Sequence, residues 1–208
     1  MKIAIIGAGN VGGALAKGWA KAGHIIFLGL RDLNSSDSKA LEKFSSNISS
    51  HTIEDAIKNS EVVLFATPPE AAVEVAKQNP SLKNKIIIDA TNAVFKKPEP
   101  YKTAFEGIKK ETGCEDVVKC FNSTGFENME NPKYGDFAID MFAAGSSVKA
   151  KEIAKKLSLD AGFAECYDFG GDDKVELLEQ FALSWINLAI MQKLGRNIAF
   201  KILRRNSN

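Results

Sequence analysis

Histidine and cysteine are scarce in this 208-residue chain, and their scarcity removes several chemistries at once. The two histidines, His24 and His51, cannot assemble a metal cluster between them. Neither falls convincingly at a strand end, so both are expected to be non-catalytic, and no metal site is expected. Cys114, Cys120 and Cys166 show no CxxC spacing and read as reduced thiols, not as a disulfide or metal framework. No run approaches the roughly 18 consecutive apolar residues of a membrane-spanning helix. A strand pattern begins at Lys2, which leaves no room for a signal peptide, so a cytoplasmic protein is expected. The glycosylation-like Asn122-Ser123-Thr124 is then a chance match. Charge of one sign is also lacking, with 27 basic against 26 acidic residues, and no basic stripe marks a nucleic-acid surface. The one basic cluster, Lys201-Ile202-Leu203-Arg204-Arg205, reads as the solvated end of a helix. Without an internal repeat or long linker, residues 1–208 are expected to fold as a single domain.

What is present is concentrated at the start. Lys2-Ile3-Ala4-Ile5-Ile6 reads as a buried parallel strand, and Gly7-Ala8-Gly9-Asn10-Val11-Gly12 follows it immediately. A helical pattern runs from Asn10 to about Ala22, Gly23 stops it, and Ile25-Ile26-Phe27-Leu28 forms a second strand. This strand–turn–helix–strand order is the context in which G-x-G-x-x-G marks a dinucleotide site. Gly7 permits the tight turn, Gly9 clears the approach of a pyrophosphate, and Gly12 lets helix and strand pack closely. The phosphates then meet the unpaired N–H groups of the helix N-terminus. At the end of the second strand, Leu30-Arg31-Asp32 bears on the choice of nucleotide. Arg31 can pair with the 2′-phosphate of NADP(H), which an acidic residue would repel. Asp32 competes as an acceptor for the ribose of NAD, but its polar surroundings look like a loop.

A weak strand or turn is read near Ile48–His51, and further strands at Glu61–Phe65, Ile86–Asp89, Val117–Phe121, Ile139–Ala144 and Phe163–Tyr167, with helices between them. The fold class is therefore α/β, a Rossmann-type doubly wound, mostly parallel sheet with helices on both faces. Residues 173–208 form a helical C-terminal extension, in which a long helix from Lys174 to Lys193 has its main apolar face made by Leu177, Leu178, Phe181, Trp185, Leu188 and Ala189. Residues 127–136 read as a rim or lid loop. Ala66-Thr67-Pro68 and Ala90-Thr91-Asn92 both follow strands, where ligands lie in an open parallel sheet. They are candidates for the nicotinamide and its ribose, with Asp89 as an orienting group. Asn122, Ser123 and Phe126 form a polar-aromatic loop at the same edge and are candidates for contacting a planar second substrate. Phe126 equally fits the filling of a hydrophobic gap.

These segments together resemble the family of coenzyme F420-dependent NADP reductases. Gly7 to Gly12 resembles its phosphate loop and Gly29-Leu30-Arg31 its 2′-phosphate loop. Asp89 to Asn92, Lys119 to Ser123, Trp185 to Ala189 and Leu194 to Phe200 resemble its later segments. The resemblance implies hydride exchange between NADP(H) and a deazaflavin, coenzyme F420, or another flavin, and it implies a homodimer. It assigns Arg31 to the 2′-phosphate, Thr67 and Pro68 to the flanks of the nicotinamide, and Asn122 to the second-substrate side. Leu30 stands where many members carry serine or threonine.

Hydride transfer between two cofactors asks for positioning and exclusion of water more than for acid–base chemistry, so no catalytic side chain is assigned. A small carbonyl or imine acceptor would want a proton donor, for which Tyr101, Tyr134 and Lys119 are candidates. A protein that senses NADP(H) without turnover is the third reading.

Overall fold

The structure is a computed structural model that describes residues 1–205. It opens with β1 (Lys2–Ile6), α1 (Asn10–Lys21), β2 (Ile25–Leu30), α2 (Ser36–Phe44), β3 (Ile48–Thr52) and α3 (Ile53–Asn59). Next come β4 (Val62–Phe65), α4 (Pro69–Gln78), β5 (Ile86–Asp89), α5 (Ala104–Thr112) and β6 (Val117–Cys120). The remainder is α6 (Phe126–Glu130), β7 (Lys133–Tyr134), β8 (Phe137–Ala138), β9 (Asp140–Ala144), α7 (Val148–Asp160), β10 (Glu165–Gly170) and α8 (Val175–Ile186).

Eight strands form one sheet in the order β10-β9-β6-β5-β4-β1-β2-β3. Six run parallel, while β9 pairs antiparallel with β6 and parallel with β10. The sheet is therefore mostly parallel, as its apolar strand runs require. β4, β6 and β9 are buried along their whole length because helices cover both faces. Two apolar clusters result, one around Trp19, Leu15 and Phe121, the other around Phe65, Ile57 and Phe105. The chain reverses its direction of winding at β1, which has β2 on one side and β4 on the other. The crevice at the carboxyl ends of those strands is where such a sheet takes a ligand.

Local signals set the helix boundaries. Thr52 caps α3 by accepting from the Asp55 N–H at 3.1 Å, and Pro69 sits in the first turn of α4. His24 is a buried residue whose ring joins the Met1 amino group (3.2 Å) to Asp160 (2.9 Å), and the His51 ring bonds to the Ser49 hydroxyl at 2.8 Å. All three cysteines are buried and free. Among the described residues no cluster of metal-ligating side chains occurs, and no helix is long and apolar enough to cross a membrane.

Three expectations are corrected. Residues 127–136 are not a plain loop, since they hold most of α6 and the short β7–β8 hairpin. The extension is helical only as far as Met191, where a π-turn over Asn187–Met191 closes α8. Lys193 then takes a left-handed conformation (φ 59°), and the Leu194 and Gly195 N–H groups return to the Leu188 and Ala189 carbonyls. Those bonds satisfy the last turn and stop the helix. The basic tail is consequently not a helix end: Lys201 donates to the Ala138 carbonyl at 2.8 Å, and the Ile202 N–H donates to Asp140 at 2.8 Å. The last three residues of the expected extension, 206–208, lie outside the described residues. Leu178 and Trp185 of α8 and Ala189 of the π-turn after it are buried as expected, whereas Leu177 faces outward and Glu179 takes an interior position.

Candidate functional site

The phosphate loop is built by close packing. Gly7 has φ +103°, and a Cβ there would stand 2.7 Å from the Ala66 carbonyl oxygen. A Cβ on Gly12 would lie 1.9 Å from the carbonyl oxygen of Gly7, so only glycine lets α1 start this close to β1. Gly9 is different: a Cβ at this position meets nothing within 4 Å. The space beside it is open, as the approach of a ligand requires. Gly9 also caps α1 without a side-chain hydrogen bond, and the first turn carries no acidic residue. The N–H groups and the dipole of α1 are thus left for an anion.

From this loop a groove of about 570 Å³ runs across the ends of β1 and β2. Gly7, Gly9, Leu30, Arg31, Thr67 and Pro68 all line it, so the structure brings six of the expected cofactor residues to one surface. Asp32 lines it too, but its carboxylate accepts the Asn34 N–H at 2.9 Å and so closes a turn. That turn organises the loop after β2 and leaves Arg31 exposed at its start. Asn10 lies in an adjoining recess together with Phe126, over whose ring the Arg196 guanidinium sits at 5.3 Å. Phe126 therefore faces the phosphate-loop side. Val11, half-buried in the first turn of α1, packs against the core.

The other end of the site lies where β5 and β6 finish. Ala90 and Thr91 are buried, and Asn92 is half-buried. Asn92 donates to the Asn122 carbonyl at 2.8 Å, and the Asn122 amide donates to Asn92 Oδ1 at 3.0 Å. The two strand-end loops are thereby locked together. Ser123 turns inward, its hydroxyl donating to the Met141 sulfur at 3.7 Å. Of five buried side-chain polar atoms that lack a hydrogen-bond partner among the described residues, two, Thr67 Oγ1 and Asn122 Oδ1, follow the ends of β4 and β6. Orphaned groups of this kind call for an explanation, and a ligand rich in amide and hydroxyl donors supplies one.

A charged cluster underlies this end. Lys119 and Asp89 are register partners on β6 and β5, both with fully buried side chains, and Lys119 Nζ donates to Asp89 at 3.0 Å. The lysine also pairs with Glu179 of α8 and reaches the Thr91 hydroxyl at 3.5 Å. Asp89 accepts the Thr91 N–H at 2.8 Å, and Glu179 accepts the Ala93 N–H at 3.1 Å. Asp89 thus fixes the Thr91 backbone and the Lys119 ammonium. Burial pushes the Glu179 carboxyl above the ordinary glutamate range despite the attraction of Lys119. Of the three candidate proton donors only Lys119 stands here, because Tyr101 bonds to Glu111 and Tyr134 to Asn128. Sequence reasoning missed Glu179. Its signal was a carboxylate on the apolar stripe of α8, one residue from the buried Leu178.

Residues 2–93 match the model of the family described as NADP oxidoreductase coenzyme F420-dependent. Over 98% of its length the chain superposes on the whole of a structure from Arthrobacter sp. FB24, provisionally described as an F420-dependent NADP-reductase, with 25% identity and a TM-score of 0.83. A reductive aminase from Aspergillus terreus, solved with NADPH and ethyl-5-oxohexanoate, is 20% identical with a TM-score of 0.69. That match covers 92% of this chain and 63% of the aminase, and it shows shared fold alone. The glycerol-3-phosphate dehydrogenase [NAD(P)+] of Thermoanaerobacter sp. (strain X514) is 26% identical over 180 residues, covering 78% of this chain and 51% of the dehydrogenase. The chain thus spans about half the length of the curated relative it matches. These relatives are NAD(P)-dependent oxidoreductases. The residues that match this family model hold the phosphate loop, Arg31 and the strand ends at Thr67 and Thr91, so the likeness to the coenzyme F420-dependent NADP oxidoreductases rests on the first half of the sheet.

Proposed function

We propose that the chain is an oxidoreductase that binds NADP(H) in the groove between Gly7 and Pro68 and exchanges hydride with a deazaflavin or flavin-like ring. The observation that carries this reading is the open space at Gly9, framed by the tight packing of Gly7 and Gly12 and followed by an exposed Arg31. In it, Gly9 and the first turn of α1 hold the pyrophosphate, and Arg31 pairs with the 2′-phosphate. Thr67 Oγ1 and Asn122 Oδ1 accept hydrogen bonds from the nicotinamide half, while Ala90, Thr91 and Asn92 form its floor. When bound, the dinucleotide supplies the hydride. The chain orients the ring and keeps water away, for which the segment after α8 is suited: Trp185 and Asn128 both donate to the Ile198 carbonyl at 2.7 Å, closing the side next to α6.

The reading includes a homodimer, supported by the exposed Leu177, Ile190, Met191 and Leu194 on and after α8. It also includes a cytoplasmic setting, which suits three free thiols.

The test is NADPH oxidation followed by absorbance, with purified protein and coenzyme F420 as acceptor. Rapid protein-dependent turnover is expected. No turnover despite proven NADPH binding would reject F420 and move the assignment to another flavin, or to a small carbonyl or imine.

A further inference from the structure

Two carboxylates and one ammonium share a dry site beneath the Ala90–Asn92 loop, and such a set is not neutral when all three are charged. Asp89, Lys119 and Glu179 come from β5, β6 and α8, and all are at most 5% exposed at the side chain. The charged groups that face the Glu179 carboxyl are Lys119 and Asp89; the chain after β5 adds only the Ala93 N–H. With Glu179 ionised the cluster carries one net negative charge, and with Glu179 protonated it carries none. A net charge in a water-poor interior is unfavourable unless a compensating charge lies nearby. The cluster sits at the carboxyl ends of β5 and β6, against the loop assigned above to the nicotinamide half. That ring is cationic in the oxidised dinucleotide and neutral in the reduced one.

We propose that Asp89, Lys119 and Glu179 hold one exchangeable proton between them and release it when a cationic nicotinamide ring is seated against the Ala90–Asn92 loop. The proposal rests on the functional reading above and deepens it: the deprotonated cluster favours NADP+, and the protonated cluster favours NADPH. No bond changes except the O–H of Glu179, whose proton passes to solvent on binding. The upward displacement of Glu179 by burial puts its ionisation within reach of such a nearby charge. By linkage, whatever the cation does to the proton, the proton does to the affinity for the cation. These groups are positioning residues, because none is assigned contact with the reacting atoms.

The test compares the dissociation constants of NADP+ and NADPH on the same protein, by titration from mildly acidic to mildly alkaline pH. Ionisation of the 2′-phosphate is common to both nucleotides and cancels in the ratio. As pH rises through the Glu179 transition, the ratio is expected to move about tenfold in favour of NADP+. In Glu179→Gln, which keeps an acceptor for the Ala93 N–H, that movement disappears. A second measurement needs no variant: calorimetry of the wild-type protein in buffers of different ionisation enthalpy should show proton release on binding NADP+ and not on binding NADPH. A purely structural cluster would alter stability and leave the ratio independent of pH. A pH-independent ratio, an unchanged slope in Glu179→Gln, or equal proton release with both nucleotides overturns the proposal alone. If neither nucleotide binds, the cofactor reading falls and the proposal falls with it.

Discussion

Replacing Gly9 with valine is expected to abolish nucleotide binding while leaving the fold in place. The structure separates these two effects unusually well, because a Cβ at Gly9 meets no protein atom within 4 Å and the backbone there is extended at φ −69° and ψ −165°. Valine adopts that conformation readily. What the substitution removes is a good helix N-cap, which costs about 1 kcal/mol and lowers the melting temperature by roughly 2–4 °C in a chain of this size. The side chain then fills the space through which a pyrophosphate must approach the N–H groups of α1. NADPH and NADH affinity should both fall by about 100-fold or more, equivalent to about 2.7 kcal/mol. Isothermal titration alongside thermal melting reads both effects. Unchanged affinity in the folded variant would show that the pyrophosphate lies elsewhere.

Lys119→Met is expected to have the largest effect on stability. The methionine fits the volume, but two buried carboxylates lose their shared counter-charge. Breaking a buried pair from one side typically costs about 3–5 kcal/mol, which denaturant unfolding would register directly. The loss should also depend on pH. Without the lysine both carboxyls are pushed upward by burial and by each other, so the folded chain binds more protons than the unfolded one. Stability is then greatest below the unfolded carboxylate values and falls as pH rises through the raised folded ones. Adding Asp89→Asn and Glu179→Gln, which removes both stranded charges, should recover most of the deficit. Equal stability of Lys119→Met and the wild type at every pH would mean that the lysine does not neutralise these carboxylates.

Much of the architecture was legible because its signals are local. Apolar runs bounded by glycine, proline and Asx residues located the strands of the main sheet, and Thr52 and Pro69 open α3 and α4 with residue types suited to those positions. The phosphate loop was legible for the same reason, since the required strand, turn and helix are contiguous. The remainder depended on contacts distant in sequence. That β9 and β10 run against the other six strands cannot be read from their composition, which suits either direction. The helix end at Lys193 was read to within two residues of Met191, but the non-helical course of the chain beyond it was not, because Lys193, a residue type that rarely does so, takes the first left-handed conformation. Residues 127–136 look like a loop by composition, yet α6 is held against α1 by burial of Met129 and by a Lys17–Glu130 ion pair at 2.7 Å. Lys119 was noticed only as a spare proton donor. Its partners lie 30 and 60 residues away, on a strand and a helix that meet only in the folded chain.

The central claim is that the groove from Gly7 to Arg31 holds the 2′-phosphorylated dinucleotide, and the direct measurement is a parallel titration of NADPH and NADH into the wild type and Arg31→Ala. The wild type should bind NADPH more tightly. Loss of the charge-assisted contact in Arg31→Ala should weaken NADPH by about tenfold or more, with NADH nearly unchanged. Equal weakening of both nucleotides, or tighter binding of NADH by the wild type, would contradict the assignment of Arg31 to the 2′-phosphate and the NADP(H) preference built on it.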